Sequence, residues 1–154
     1  GLYRRSLYTF WKRTGPAPVM MALDASKRDV CTVKRERTST PLQALVLLND
    51  PQLNEAARVF AEKMLNKHGG NHSAMFAEMF RSVTSRNANE QELKILQRIY
   101  REQQEQFSGN PAAAKKFLTV GDAKRDGKLA IEDAAAAAVV AVALFNFWEA
   151  LAEY

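Results

Sequence analysis

Apolar residues recur at helical spacing through most of the chain after residue 50. The first such pattern ends before Gly69 and Gly70 and consists of Leu53, Ala56, Ala57, Phe60 and Met64. Similar patterns follow at 76–83, 93–107 and 117–118. A nearly continuous apolar stretch then lies within residues 131–151, and a helix that is apolar on all sides is typical of the middle of a bundle. The pattern therefore predicts an all-α fold.

Two helix starts come in close succession between residues 40 and 51. The sequence Thr-Pro-Leu-Gln from Thr40 is that of a capping box, in which the Thr40 hydroxyl accepts from the Gln43 N–H and the Gln43 side chain accepts from the Thr40 N–H. Pro41 and Pro51 each stand at an expected first helical position, and Asp50 has the chemistry of an N-cap. Because proline disfavours helical backbone at the residue before it, we expect the chain to turn at Asp50.

Asparagine marks two later helix starts. Asn89 is followed by Glu92 at the third position, which is the pattern of a capped helix. Asn110 comes directly before Pro111, so that a shorter helix is expected from there to the glycine at 121.

Residues 1–39 lack a clean period and are basic. They hold nine Lys or Arg against three acids, a net charge of +6, whereas the remainder holds 13 against 14. Residues 2–13 interleave aromatics with cations and suit either a short amphipathic helix or an extended segment. The Pro16/Pro18 turn ends them, and residues 19–39 are expected to form an ordered loop with at most short helical turns.

The chain is therefore predicted to be a single all-α domain of about five to six helices. Residues 1–39 would form an irregular basic and aromatic segment packed on a helical body of residues 40–154. The length of 154 residues suffices for a core of its own. The longest apolar run, at 134–145, is too short to cross a bilayer, so no membrane span is expected.

No metal or cofactor is expected in this domain. Cys31 is the only cysteine, which excludes a disulfide framework and a cysteine-based haem attachment. His68 and His72 are four apart, but glycines lie between them, so a helical metal pair is not expected. Four positions of a calcium loop are matched, by Asp122, Asp126, Gly127 and Asp133. Lys124, however, occupies a position that needs a ligand oxygen, so a polar interhelical loop is favoured.

The basic and aromatic segment is the main candidate for binding. Cations could meet phosphates while aromatics stack on bases, or the aromatics could be core anchors whose neighbouring cations pair with acids of the helical body; the second is favoured. No catalytic triad and no glycine-rich phosphate loop is evident. The candidate interaction surface is Arg4, Arg5, Tyr8, Trp11, Arg35, Arg37, Gln43, Asn49 and Asp50.

Several runs together resemble one known family. They are residues 3–13, the Pro16/Pro18 turn with Asp24, residues 28–33 and 35–38, residues 40–45 and residues 48–51. These are similar to the domain of unknown function 1553, the C-terminal domain of large multidomain proteins abundant in Planctomycetes. Arg86 to Glu92 resembles a helix entry of that family. The chain departs from the family pattern at residues 146–149 and at Ala137, where the family has tryptophan.

The resemblance implies a setting rather than a reaction. Such proteins typically carry a secretion signal and often a cytochrome-c-like domain, which implies an extracytoplasmic location and a haem on another domain. The leading hypothesis is a non-catalytic docking module that contacts other domains of the same polypeptide or an anionic polymer. The alternatives are a part of an enzyme acting on complex carbohydrate, to which this domain contributes arginines, and the binding of nucleic acid or another polyanion.

Overall fold

The computed structural model describes residues 10–12, 15–26, 31, 33–34, 38 and 40–147. These residues contain helices and no strand, so the predicted all-α class is confirmed. The helices are α1 (Pro18–Ala22), α2 (Pro41–Asn49), α3 (Pro51–His68), α4 (His72–Thr84), α5 (Glu90–Gly109), α6 (Pro111–Leu118) and α7 (Ile131–Phe145). Residues 2–9 and 13 of the expected 2–13 segment and the last residues, 148–154, lie outside the described residues.

The chain divides into two compact units, residues 1–50 and residues 51–154. The division falls at the second proline of the 40–51 stretch, so α2 groups with the basic segment that precedes it. In the first unit α1 and α2 pack against each other. Helix α1 is the short helical turn expected within residues 19–39, and it begins one residue earlier, with Pro18 in its first turn.

The capping box at the start of α2 is confirmed. The Gln43 N–H donates to Thr40 Oγ1 at 3.3 Å, and the Thr40 N–H donates to Gln43 Oε1 at 3.1 Å. Pro41 occupies the first turn, where its missing N–H costs no hydrogen bond. Asp50 has φ −69° and ψ 121°, the extended backbone expected before a proline, and it ends α2.

Helix α7 is the centre of the second unit. It packs against α3, α4, α5 and α6, and its five consecutive alanines, 134–138, are buried. Small side chains let neighbouring helices approach closely while keeping high helix propensity. Around it lie buried side chains of α4 and α5, namely Met75, Phe76, Met79, Phe80, Leu96 and Tyr100.

The ends of the other helices also follow the sequence. Helix α3 ends at His68 before two glycines with positive φ, and α6 begins at Pro111 with Asn110 as its N-cap. At the start of α5 the Asn89 N–H donates to Glu92 Oε2 at 2.8 Å, and the Glu92 N–H donates to Asn89 Oδ1 at 2.8 Å. This second capping box is also confirmed.

The buried face of α3 is wider than the apolar pattern indicates. Of the predicted positions, Ala57 is buried, whereas Phe60 and Met64 are only partly buried against the core. The most buried part of the helix instead includes three charged residues, Glu55, Arg58 and Glu62. The pattern missed them because charged residues are normally assigned to the solvent face of a helix.

Candidate interaction surface

A hydrogen-bonded network in the first unit joins Asp24 to the start of α2. Asp24 Oδ2 accepts from the Thr38 N–H at 2.8 Å, from the Thr38 hydroxyl at 2.7 Å and from Gln43 Nε2 at 2.9 Å. The Thr38 hydroxyl, followed by the Thr38 N–H, lowers the pKa of Asp24. The three hydrogen bonds join Asp24 to Thr38 and to Gln43 of α2. Asp24 therefore holds the chain before α2 in place.

Gln43, one of the predicted surface residues, is therefore a structural residue. Its side chain is buried and serves two partners through Nε2, Asp24 and the Thr38 hydroxyl at 3.0 Å, while Oε1 completes the capping box. A buried amide with its donors and its acceptor engaged offers little to a ligand. The motif that begins at Thr40 is thus explained by local structure.

The other predicted surface residues do not form one cluster in the described part of the chain. Asn49 is at the end of α2, where its Nδ2 donates to the Leu45 carbonyl at 2.8 Å. Trp11 and Asp50 are partly buried. Arg4, Arg5, Tyr8, Arg35 and Arg37 lie outside the described residues, so their part in a binding surface stays a prediction.

A row of exposed leucines on α2 was not predicted. Leu42, Leu45 and Leu48 follow i, i+3, i+6 spacing and are 58%, 56% and 48% exposed. The opposite side of the helix buries Gln43 and Leu47. The signal was present in the sequence, because α2 is apolar on nearly all sides. A helix of that kind has to bury more than one face or leave apolar side chains in water.

Buried charges of α3 hold the loop between α6 and α7, residues 119–130. The Ala123 N–H donates to Glu55 Oε1, and the Ala123 carbonyl accepts from Arg58 Nη2 at 2.7 Å. Arg58 Nη1 also donates to Glu62 Oε1 at 3.1 Å, and Glu62 Oε2 accepts from the Asp126 N–H at 3.4 Å. The cluster thus supplies hydrogen-bond partners to the charges and to the loop backbone, whereas the buried Arg58 Nε has none among the described residues.

Two aspartates of the calcium-loop template, Asp126 and Asp133, have structural roles. Asp126 accepts from the Lys128 N–H at 3.0 Å and from Asn66 Nδ2 at 2.9 Å; the Lys128 N–H, as the main cause, lowers its pKa. Asp133, in the first turn of α7, accepts from the Tyr100 hydroxyl at 3.2 Å and from Gln104 Nε2 at 2.6 Å. Burial, with the nearby Asp133 charge, raises the pKa of Tyr100. These contacts agree with a polar interhelical loop.

The Arg86–Glu92 pair fixes the entry of α5. The guanidinium donates through Nη1 to Glu92 Oε2 at 3.0 Å and through Nη2 to Oε1 at 2.6 Å, and it lies 4.7 Å from the centre of the Phe80 ring. The Arg86 hydrogen bonds are the main cause that lowers the pKa of Glu92. The pair accounts for the Arg-to-Glu spacing that resembles the family pattern.

Replacing Glu92 with glutamine is expected to remove an acid-sensitive part of the stability. The pKa of Glu92 is lower in the folded chain than its ordinary value of 4.5, so the ionised carboxylate stabilises the fold above that pH, and this contribution is lost as the pH falls through the folded pKa. At pH 7 we expect a loss of about 1–2 kcal/mol in the free energy of unfolding, measured by urea denaturation followed by circular dichroism.

The pH profile separates this effect from a general loss of capping. Between about pH 5 and pH 3 the wild-type chain should lose more stability than Glu92→Gln, so that the two curves converge. Glu102→Gln is the control, since Glu102 pairs with Arg98 at the surface and both side chains are largely exposed. Parallel curves for wild type and Glu92→Gln would contradict the assignment.

The described residues contain neither a metal-ligand group nor a membrane-spanning helix. No group of three or more His, Cys, Asp or Glu side chains in the described ranges is arranged to hold a metal ion. Among the helices of the same ranges, none is both long enough and apolar enough to span a membrane.

The described contacts define an all-α protein in which polar side chains tie helices and loops of the same unit together. A family model described as PSD1, Protein of unknown function (DUF1553), matches residues 1–100, about two thirds of the chain. The chain belongs to this family, and the resemblance seen in the sequence is confirmed. No curated protein and no solved structure matches it significantly. The matched residues include both capping boxes and the Arg86–Glu92 pair, whereas Ala137 and residues 146–149 lie beyond them.

Proposed function

We propose that this chain is a non-catalytic docking module of a larger, secreted multidomain protein of the redox type that the family resemblance implies. The row formed by Leu42, Leu45 and Leu48 is the observation that carries the proposal. Each leucine leaves roughly half of its side chain in water, and burial of such surface stabilises association by about 25 cal/mol per Å². A neighbouring domain of the same polypeptide would cover this row.

The use of the polar groups supports docking over catalysis. Catalysis requires polar side chains that are free to meet a substrate in a shared concave site. Gln43 is instead occupied by Asp24, Thr38 and its own capping box, and Asn49 bonds to its own helix. The buried charges of α3 likewise serve a loop of the chain itself.

The remaining parts of the proposal rest on the family resemblance. The haem would belong to another domain, and the location would be extracytoplasmic. The two alternatives, a shared site for complex carbohydrate and the binding of a polyanion, depend on arginines before residue 40, namely Arg4, Arg5, Arg35 and Arg37. Those residues lie outside the described ranges, and no observed contact favours either alternative.

Thiol labelling tests whether the leucine row is covered. In a Cys31→Ser background, which removes the only cysteine of these 154 residues, a thiol is introduced at Leu45 or, as a matched control, at Ile95 of α5, which is 48% exposed. In the chain alone the two thiols should react at similar rates. In the full-length polypeptide the thiol of Leu45→Cys should react at least about tenfold more slowly than in the chain alone, because a docked neighbour excludes the reagent.

The control defines the contrary result. If the thiols of Leu45→Cys and Ile95→Cys keep equal rates in the full-length polypeptide, α2 is not a docking surface. If both slow together, the protection is general and does not arise at the leucine row.

A further inference from the structure

The part of the 119–130 loop that is hydrogen-bonded to α3 holds almost no apolar side chain. Residues 121–128 read Gly-Asp-Ala-Lys-Arg-Asp-Gly-Lys, in which the methyl group of Ala123 is the only apolar side chain. The larger apolar side chains on either side, Val120 and Leu129, are half-buried, and Leu129 packs against the core. Few buried apolar contacts are typical of segments that open locally while the rest of a protein stays folded.

Hydrogen bonds to buried charges hold this stretch closed. The Ala123 N–H donates to Glu55, and the Ala123 carbonyl accepts from Arg58. The Asp126 N–H donates to Glu62 at 3.4 Å. The three charged residues are between 1% and 7% exposed. Because a buried charge loses its hydration, the hydrogen bonds to the loop largely offset that loss and leave a small net gain.

Opening of the loop would restore water to these charges without disrupting α3. The Arg58–Glu62 pair lies within one helix at i, i+4 spacing, so it is kept when the loop moves. The buried Arg58 Nε, which has no partner among the described residues, would gain one from water. An open state therefore recovers hydration and loses little apolar contact, whereas unfolding of α7 would expose the core.

Glycines stand at or near both ends of the stretch. Gly121 has φ +93° and comes three positions after the buried Leu118 of α6. Gly127 comes four positions before Ile131, the first residue of α7. Glycine allows a wider range of backbone angles than any other residue, so both positions can absorb a rotation of the residues between them.

We infer that residues 121–128 are a lid, hinged at Gly121 and Gly127, whose opening gives solutes access to the Arg58 guanidinium. The inference concerns the second unit alone and does not depend on the leucine row of α2. The open lid would present an N–H donor that the closed structure leaves unused, in a helix that also carries two buried carboxylates. Access to this charged site would thus be set by the population of the open state.

Amide hydrogen exchange of the 154-residue chain, measured by NMR, tests for local opening. The exchange rates of the Ala123 and Asp126 amides should change by less than about twofold when about 1 M urea is added, because lid opening exposes little new surface. Amides of α7, which exchange through unfolding of the core, should exchange at least about tenfold faster in the same urea. An equally steep urea dependence at all these amides would overturn the inference, because the loop would then open only together with the whole unit.

A cross-link that holds the lid closed tests the access to Arg58. In a Cys31→Ser background, Asn66→Cys and Asp126→Cys place thiols where Asp126 accepts from Asn66 Nδ2 at 2.9 Å, and a short bifunctional thiol reagent joins them. Phenylglyoxal, which modifies accessible arginines, should modify Arg58 at least about tenfold more slowly in the cross-linked chain than in the same variant without the cross-link. Arg98, whose side chain is 70% exposed, should be modified at the same rate in both forms.

The outcome for Arg58 decides whether the lid admits solutes. Helical content measured by circular dichroism verifies that the variant is folded with and without the cross-link. Equal rates of Arg58 modification in the two forms, or no modification of Arg58 in the chain without the cross-link, would overturn the inference. Where the double variant is not folded, the urea dependence of exchange in the unchanged chain decides.

Discussion

Replacing Arg58 with alanine is expected to lower the free energy of unfolding by about 3–5 kcal/mol, the cost of leaving buried charges without their partner. The Arg58 side chain is 2% exposed, and it donates to Glu62 and to the Ala123 carbonyl. Without it, the Glu62 carboxylate remains buried in α3 without the guanidinium that bonds to it, and the Ala123 carbonyl loses the Arg58 donor. Urea denaturation at neutral pH, followed by circular dichroism, measures the change.

The chain offers a matched control for this prediction. Arg98 and Glu102 on α5 have the same i, i+4 spacing as Arg58 and Glu62, but their side chains are 70% and 64% exposed. Arg98→Ala should therefore cost less than about 1 kcal/mol. Similar losses in the two variants would show that the α3 pair contributes no more than a surface pair and would contradict its assignment as the support of the 119–130 loop.

Replacing Gly121 with alanine is expected to lower the free energy of unfolding by about 2–4 kcal/mol, through backbone strain and overpacking together. Gly121 has φ +93°, where a side chain is strained, and a Cβ atom there would lie 2.6 Å from Glu55 Cγ. Because Glu55 is itself buried and bonded to the Ala123 N–H, either the loop or the carboxylate has to move. Thermal or urea denaturation gives the magnitude.

Two other glycines separate the two causes. Gly70 has φ +98° with open space at its Cβ position, so Gly70→Ala reports backbone strain alone, about 1–2 kcal/mol. Gly127 lies in the same loop as Gly121, without a positive φ and without neighbours at its Cβ position, and Gly127→Ala should be nearly neutral. A loss in Gly121→Ala no larger than that in Gly70→Ala would show that Glu55 yields easily and that the close approach is unimportant.

The helix starts illustrate what could be predicted well. The capping boxes of Thr40 with Gln43 and of Asn89 with Glu92 were expected from the sequence and are both formed. Each consists of contacts between residues three positions apart, so the local sequence contains both partners. The central position of α7 was also predictable from local sequence, because a helix with apolar side chains on all sides has no polar face that could contact water.

The exposed leucine row of α2 was not predicted. The predicted surface included the polar residues Gln43 and Asn49, whose side chains bond within the first unit, and it did not include Leu42 and Leu45. The apolar pattern predicts that a helix is buried, but it does not indicate how much neighbouring structure is available to cover it. In the described part of the first unit, α1 is the only other helix, and it is five residues long.

The sequence by itself determined the all-α class, the helix boundaries at capped and proline-marked positions, and the concentration of positive charge before residue 41. These depend on side-chain type and on contacts within a turn of helix. The tertiary structure alone decided that Glu55 and Arg58 are buried and that α2 keeps an exposed leucine row. The burial of the two charges depends on a distant part of the chain, because the Ala123 backbone, which bonds to both, is more than 60 positions away. A buried charge is stable only where the fold brings such a partner next to it, and the local sequence pattern does not contain that partner.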